Sequence, residues 1–335
     1  MRYKNVMSVA IAVCVLGAMA ASADPVKLRV GWVAANADAP LLMFGRKGIS
    51  KHEGVSYTLE AIHFQGSPPM ITALATGDVD LVGFGFSTLP IAVQNAGMSD
   101  LRIVADLFQD GVEGHYTNEF SVLKDGPIHT VEDLKGKIAA TNAAGSAVDM
   151  VLRAMLRKHG LDEKRDVTII EAGFPNMPAM LSEHKVDLIA ALRNFTADPK
   201  FLAYARPLFT QRDAIGRSQM AFLAGRTGFL EKNRAAVIDY LEDELRELHW
   251  YNDPANHDEA VKIMADYNKV PVSLITSWMF TKDGDFYHDP DGLPDLDALQ
   301  SNIELQRQLG FVKSELDVKP LADLSYVKEA AARAR

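Results

Sequence analysis

The chain has 335 residues, 48% of them hydrophobic and 24% charged, which suits a folded protein with room for about two domains. A disordered chain, a collagen and a multi-span membrane protein are excluded by that balance. Lysine and arginine number 35 against 44 aspartates and glutamates, the net charge is -9, and no basic block occurs, so the cationic footprint of a nucleic-acid binder is missing.

Residues 1–23 read as a cleaved signal peptide. Arg2 and Lys4 precede an apolar run from Val6 to Ala21, and Ala21-Ser22-Ala23 supplies small side chains ahead of a cut before Asp24. The expected destination is the periplasm, and the single cysteine, Cys14, leaves with the peptide. Next, Leu28–Val33 is a short apolar strand, and Val55–His63 alternates like another. Gly66-Ser67-Pro68-Pro69 opens a helix running to Gly77, with Ser67 as the expected N-cap and proline in the first turn. Val79–Phe84 reads as a buried strand, Ser87-Thr88-Leu89-Pro90 as a second cap, and Leu101–Leu107 as a further strand. Strands alternating with helices at this spacing predict a parallel α/β sheet.

A second block repeats the first at an offset of 107 residues. Gly66-Ser67-Pro68-Pro69-Met70 matches Gly173-Phe174-Pro175-Asn176-Met177, and Val79-Asp80-Leu81 matches Val186-Asp187-Leu188. Glu119–Leu123 and Gln219–Ala224 read as extended segments crossing between the blocks. Helices are expected over Ala235–Tyr251, Asn256–Asn268 and Leu296–Leu309, the last ending at Gly310. The predicted architecture is a two-lobed α/β clamshell joined by two crossing strands. Residues 24–117 and 223–335 form the first lobe and residues 118–222 the second.

Four segments carry a family resemblance: Leu28-Arg29-Val30-Gly31, Leu74 to Asp80, Val131-Glu132-Asp133-Leu134-Lys135-Gly136-Lys137, and Gly160-Leu161-Asp162 before Asp166-Val167. In this order they resemble the solute-binding proteins of ABC importers for nitrate, taurine and other sulfonates. The resemblance implies a type II periplasmic-binding fold, a ligand held in the cleft, and delivery to an ABC permease in the inner membrane. It extends to enzymes on the same clamshell, namely dehydratases of menaquinone synthesis and the pyrimidine synthase of thiamine synthesis. An export signal argues against that enzymatic alternative, because those enzymes act on cytoplasmic metabolites. A monomer without cofactor or metal is expected.

In such sheets the carboxyl ends of strands face the crevice, and the helices that follow present unpaired N–H groups and positive partial charge. Anions bind there without a cationic protein. The strand-to-helix junctions therefore supply the candidate ligand contacts: Trp32, Asn36, Ser67, Ser87, Thr88, Asn142, Gly145, Ser146, Phe174, Arg193, Asn194 and Phe195. Arg193 is the expected clamp, since a guanidinium grips a carboxylate or sulfonate with two parallel hydrogen bonds. Trp32 and Phe174 are expected to flank an organic group. The mixed character of Phe86-Ser87-Thr88 and Asn194-Phe195 suits a small organic anion, sulfonate or carboxylate, better than bare nitrate. The nine histidines show no metal-ligand spacing, and the acidic run Asp283–Asp291 lacks a calcium-loop register and reads as a solvated turn. Gly83-Phe84-Gly85 lacks the third glycine of a dinucleotide loop, and no Gly-x-Ser-x-Gly elbow occurs.

Overall fold

The computed structural model describes residues 24–34 and 48–335; the expected signal peptide and Asn36 lie outside them. The strands are β1 (Val26–Trp32), β2 (Tyr57–His63), β3 (Leu81–Gly85), β4 (Leu101–Asp110), β5 (Glu119–Leu123), β6 (Lys137–Thr141), β7 (Val167–Glu171), β8 (Leu188–Ala191), β9 (Ala205–Thr210) and β10 (Ser218–Arg226). The longer helices are α1 (Ser67–Thr76), α2 (Ala147–Lys158), α3 (Arg234–Asn252), α4 (His257–Asn268), α5 (Leu296–Gln308) and α6 (Ser325–Ala334).

Two five-stranded sheets result, in the orders β2-β1-β3-β10-β4 and β7-β6-β8-β5-β9. The sheets are mixed rather than all-parallel. In each, three parallel strands are followed by an antiparallel one, β10 between β3 and β4, and β5 between β8 and β9. The sequence pattern indicated parallel strands because the βαβ units dominate it. The antiparallel members, β5 and β10, are the extended segments expected to cross between the lobes; each pairs within one sheet only, and its composition resembles that of any other strand. Since β10 begins at Ser218 and pairs only in the first sheet, the second crossing lies between Thr210 and Ser218.

The internal repeat is visible in the registers. Leu81 and Val82 stand beside β1 as Leu188 and Ile189 stand beside β6, at the same 107-residue spacing. The repeated Val-Asp-Leu has a structural task. Asp80 Oδ2 accepts the Arg29 N–H at 3.0 Å while the Asp80 N–H donates to Arg29 O at 2.8 Å. Asp187 repeats this pair with Ile138, at 2.9 and 2.7 Å. Each aspartate thus pins the start of its strand to the neighbouring parallel strand of its sheet, β1 or β6, and fixes the register. In the first lobe Arg29 adds two further hydrogen bonds to the Asp80 carboxylate, at 2.9 and 2.7 Å.

One apolar core runs through both lobes, from Phe84, Phe86 and Met220 to Phe120, Ala147 and Val151. A second lies on the first lobe, where the α3 stripe Val237, Leu241 and Leu245 packs with α4, α6 and the outer faces of β1 and β10. The crossings meet at Gly111 and Gly216, both with positive φ; a Cβ on Gly111 would fall 2.6 Å from Gly216 O. Beside them Asp110 accepts from Thr117 Oγ1, Asn118 N and Asn118 Nδ2, and Gln211 links Asn118 to Ser218. Both crossings are thereby joined through one buried polar network.

Candidate functional site

The carboxyl ends of β1, β3, β6 and β8 and the N-termini of α1 and α2 converge between the lobes, and local chemistry decides what each junction offers. At α1 the N-cap is Gly66, extended at φ -171°, and Ser67 is the first helical residue. Its hydroxyl accepts the Gly85 N–H at 3.0 Å and lies 3.5 Å from Gly83 O, tying the helix to β3 instead of capping it. At α2 Ser146 is the N-cap, accepting the Asp149 N–H at 3.2 Å and donating to Asn142 Oδ1 at 2.8 Å. The buried Asp149 carboxylate accepts from Gly145 N at 2.8 Å and Arg153 Nε at 2.9 Å.

Several of the expected ligand contacts meet the opposite lobe. Gln65 Nε2 donates to Asn142 O at 2.7 Å and Asn142 Nδ2 donates back to Gln65 O at 3.0 Å. Ser87 Oγ donates to Gly145 O at 2.8 Å. Glycine permits this approach: a Cβ on Gly66 would lie 2.8 Å from Ala143 Cβ, and one on Gly85 2.9 Å from Ala147 Cβ. The lobes are closed on each other along this seam. Thr88 is fully buried, its Oγ1 without a hydrogen bond among the described residues, and it lines neither chamber of the cleft.

The cleft divides into two chambers. An inner one of about 80 Å³ is lined by Ser67, Asn142, Ser146 and Phe174 among the expected residues, together with Asn118, Phe108, Met220 and Phe286. An outer one of about 470 Å³ is lined by Trp32, Phe174, Asn194 and Phe195 among the expected residues, together with His63, Tyr267 and Trp278. Val33, Ala34, Phe174 and Leu192 line both and form the neck between them. His63 Nε2 donates to Val33 O at 3.1 Å, and its ring centroid lies 4.6 Å from that of Trp32.

Arg193 lies elsewhere. It lines neither chamber; its Nε donates to Gly284 O at 3.1 Å, and its guanidinium carbon stands 4.8 Å from the Tyr116 ring centre and 5.9 Å from that of Trp278. Burial pushes the Asp285 carboxyl up to about 6, and the charge of Arg193 acts against that rise. The cation therefore joins the second lobe to the 278–286 segment of the first. Arg193→Ala is expected to lower the melting temperature by a few degrees, about 1–2 kcal/mol of lost cation–π and hydrogen-bond energy, with Arg193→Lys a partial rescue. Thermal denaturation checks this. An unchanged melting temperature with complete loss of ligand-induced stabilisation would place Arg193 in the ligand shell.

The segment Asp283–Asp291 is not a solvated turn. Asp285 is 5% exposed and accepts the N–H groups of Phe280 and Phe286 at 2.9 and 2.8 Å, while Phe286 enters the inner chamber. Acidic composition hid this role, because burial of a carboxylate is secured here by backbone donors that no side-chain pattern reveals. Tyr267 and Phe108 were equally silent in sequence, being single aromatics on a helix and at a strand end. The ligand atoms of His52, Asp239 and Glu242 come within 4.8 Å of one another, although His52 is far from the two acids in sequence. Arg246 holds Glu242 at 2.7 Å and Arg333 holds Asp239 at 3.1 Å, so both carboxylates are already neutralised by cations.

The profile of the NMT1-like family matches residues 21–265. The chain belongs to that family. This NMT1-like chain is 33% identical over 146 residues to a putative aliphatic sulfonates-binding protein of Escherichia coli K12, a match spanning 43% of the chain and 42% of that relative. Its fold is shared with the alkanesulfonate-binding protein SsuA of Xanthomonas axonopodis pv. citri bound to MOPS, at TM-score 0.71, 19% identity, and coverage of 90% of this chain and 100% of that one. It is shared also with the desulfurization enzyme DSZB, at TM-score 0.65, 14% identity, and coverage of 92% of this chain and 100% of that one. The architecture is thus the type II periplasmic-binding fold, which hosts both binding and catalysis.

Proposed function

We propose that this NMT1-like protein is the solute-binding component of an ABC import system, acting in the periplasm and passing its cargo to a permease in the inner membrane. Its ligand is a small organic acid, sulfonate or carboxylate, held between the lobes. The observation that carries this reading is the convergence of two helix N-termini, α1 and α2, on one chamber between the lobes. Residues in the first turn of a helix have no intrahelical acceptor for their N–H groups, and Ala147 and Val148, which hold that position in α2, line the chamber. An acid head accepting from them gains charge-assisted hydrogen bonds without any arginine. Ligand contact with both lobes favours the closed state over the open one.

Binding fits better than catalysis because the polar side chains around the chamber are committed to structure. Ser67 holds β3, Ser146 caps α2, and Asn118 bonds Asp110 and Gln211. Neither serine has a basic side chain bonded to it among the described residues, so neither is an activated nucleophile.

The test is native mass spectrometry of freshly purified protein, followed by a thermal-shift panel of sulfonates, carboxylates and nitrate. A trapped organic acid is the expected finding. A true ligand at 100 times its Kd stabilises the closed protein by about 2.7 kcal/mol. No trapped molecule and no response across the panel would remove this reading.

A further inference from the structure

The two chambers differ in size and wall chemistry, and we infer that this division selects an acid with an aromatic body, its carboxylate or sulfonate head in the inner chamber and one or two rings in the outer. The inference rests on the solute-capture reading above and names the class of solute. At about 80 Å³ the inner chamber has the volume of two or three waters, taking roughly 30 Å³ for each. Pockets that enclose a whole organic ligand run to roughly 300–1,000 Å³. The inner chamber therefore takes a head group and no more, while the outer chamber, about 470 Å³, falls within the range for a complete body.

The outer walls specify what that body is. Trp32 and Tyr267 stand on the first lobe, their ring centroids 6.1 Å apart, and Phe174 and Phe195 line the same chamber from the second. Rings prefer partners at centroid separations of about 4.5–7 Å in offset or edge-on geometry, which aromatic walls on both lobes supply to a planar guest. Such a guest touches both lobes at once and so couples its own burial to closure. The neck of Val33, Ala34, Phe174 and Leu192 is apolar. A compact ion gains nothing there and leaves the outer chamber without an organic occupant, whereas a ring attached to the head fills it. Asn194 lines the same chamber and makes no hydrogen bond among the described residues, leaving its amide available to a ring substituent.

Isothermal titration tests the division with two head-matched pairs: naphthalene-2-sulfonate against methanesulfonate, and naphthalene-2-carboxylate against acetate. The naphthalene acids are expected to bind at least 100-fold more tightly than their compact partners. Phe195→Ala is expected to lower that ratio at least tenfold. Tyr267→Ala, at a rim position that is 43% exposed and so removable without unfolding, is expected to lower it severalfold. Compact and aromatic acids binding alike, or an unchanged ratio in both variants, would overturn the division and leave solute capture standing. If no acid of either class binds and no trapped ligand is found, the reading beneath it fails as well.

Discussion

Adding a methyl group at Gly66 and Gly85 together is expected to hold the lobes apart and abolish ligand-induced stabilisation, with each lobe still folded. The new Cβ atoms would lie 2.8 Å from Ala143 and 2.9 Å from Ala147, and both contacts are with the opposite lobe. Gly66 is extended and Gly85 has no positive φ, so alanine suits either backbone. Within its own lobe the nearest atom to the methyl on Gly85 is Met220 O, at an ordinary 3.6 Å. The strain therefore belongs to the closed state alone. Overpacking of this kind costs about 1–3 kcal/mol per site, comparable to the few kcal/mol that separate open from closed forms. Two sites together should weaken ligand binding on the order of 100-fold. Small-angle scattering in the presence of ligand reads the opening as a larger radius of gyration, and denaturation shows whether the fold survives. A double variant that scatters like the parent and binds with the parent's affinity would show that the seam is not needed for capture.

Stability is expected to rise as pH falls from 8 to about 5.5. Burial pushes the Asp106 carboxyl up to about 7, and burial likewise raises Asp110 and Asp285 to about 6. Between the unfolded value of 3.8 and these raised values the folded chain binds more protons than the unfolded one. Their contribution is therefore present in full at low pH and is lost as pH rises through 6 to 7. His288 works in the opposite sense: burial lowers it to about 4, so its contribution is lost as pH falls from 6.5 toward 4. Three carboxylates outweigh one imidazole, by an amount on the order of a few kcal/mol. Differential scanning calorimetry should find a melting temperature several degrees higher at pH 5.5 than at pH 8. A profile that is flat, or inclined the other way, would mean that these carboxylates are hydrated in the native state.

The repeat at 107 residues was legible in the sequence because it encodes registers: Asp80 and Asp187 bond the same backbone positions in their two sheets. Strands β5 and β10 were legible as extended segments, but neither their place within a single sheet nor their antiparallel insertion was, since strand direction is set by where the chain arrives and leaves no mark on composition. Junction residues were found by one rule, that strand ends face the cleft, and the rule placed Trp32, Ser67, Asn142, Ser146, Phe174, Asn194 and Phe195 along its walls. It could not separate residues facing a chamber from those spent on closure, as Ser87 and Gly145 are, because that depends on how closely two distant loops approach. Arg193 shows the same limit. Its charge is drawn to Gly284 O and the Trp278 ring, brought in from a segment some ninety residues later, and to the Tyr116 ring from well upstream.

The two crossings also set an order of assembly. All strands of the second sheet, β5 to β9, fall within residues 119–210, an unbroken stretch of chain. The first sheet cannot close until β10, starting at residue 218, slots between β3 and β4, which have waited side by side without a common partner. The second lobe is therefore an insertion able to complete its hydrogen bonding early, whereas the first carries the long-range pairings whose loop-closure cost slows folding. A chain synthesised from its N-terminus keeps the edges of β3 and β4 open until most of its length exists, and during that interval the unfinished first sheet is the part most exposed to mispairing.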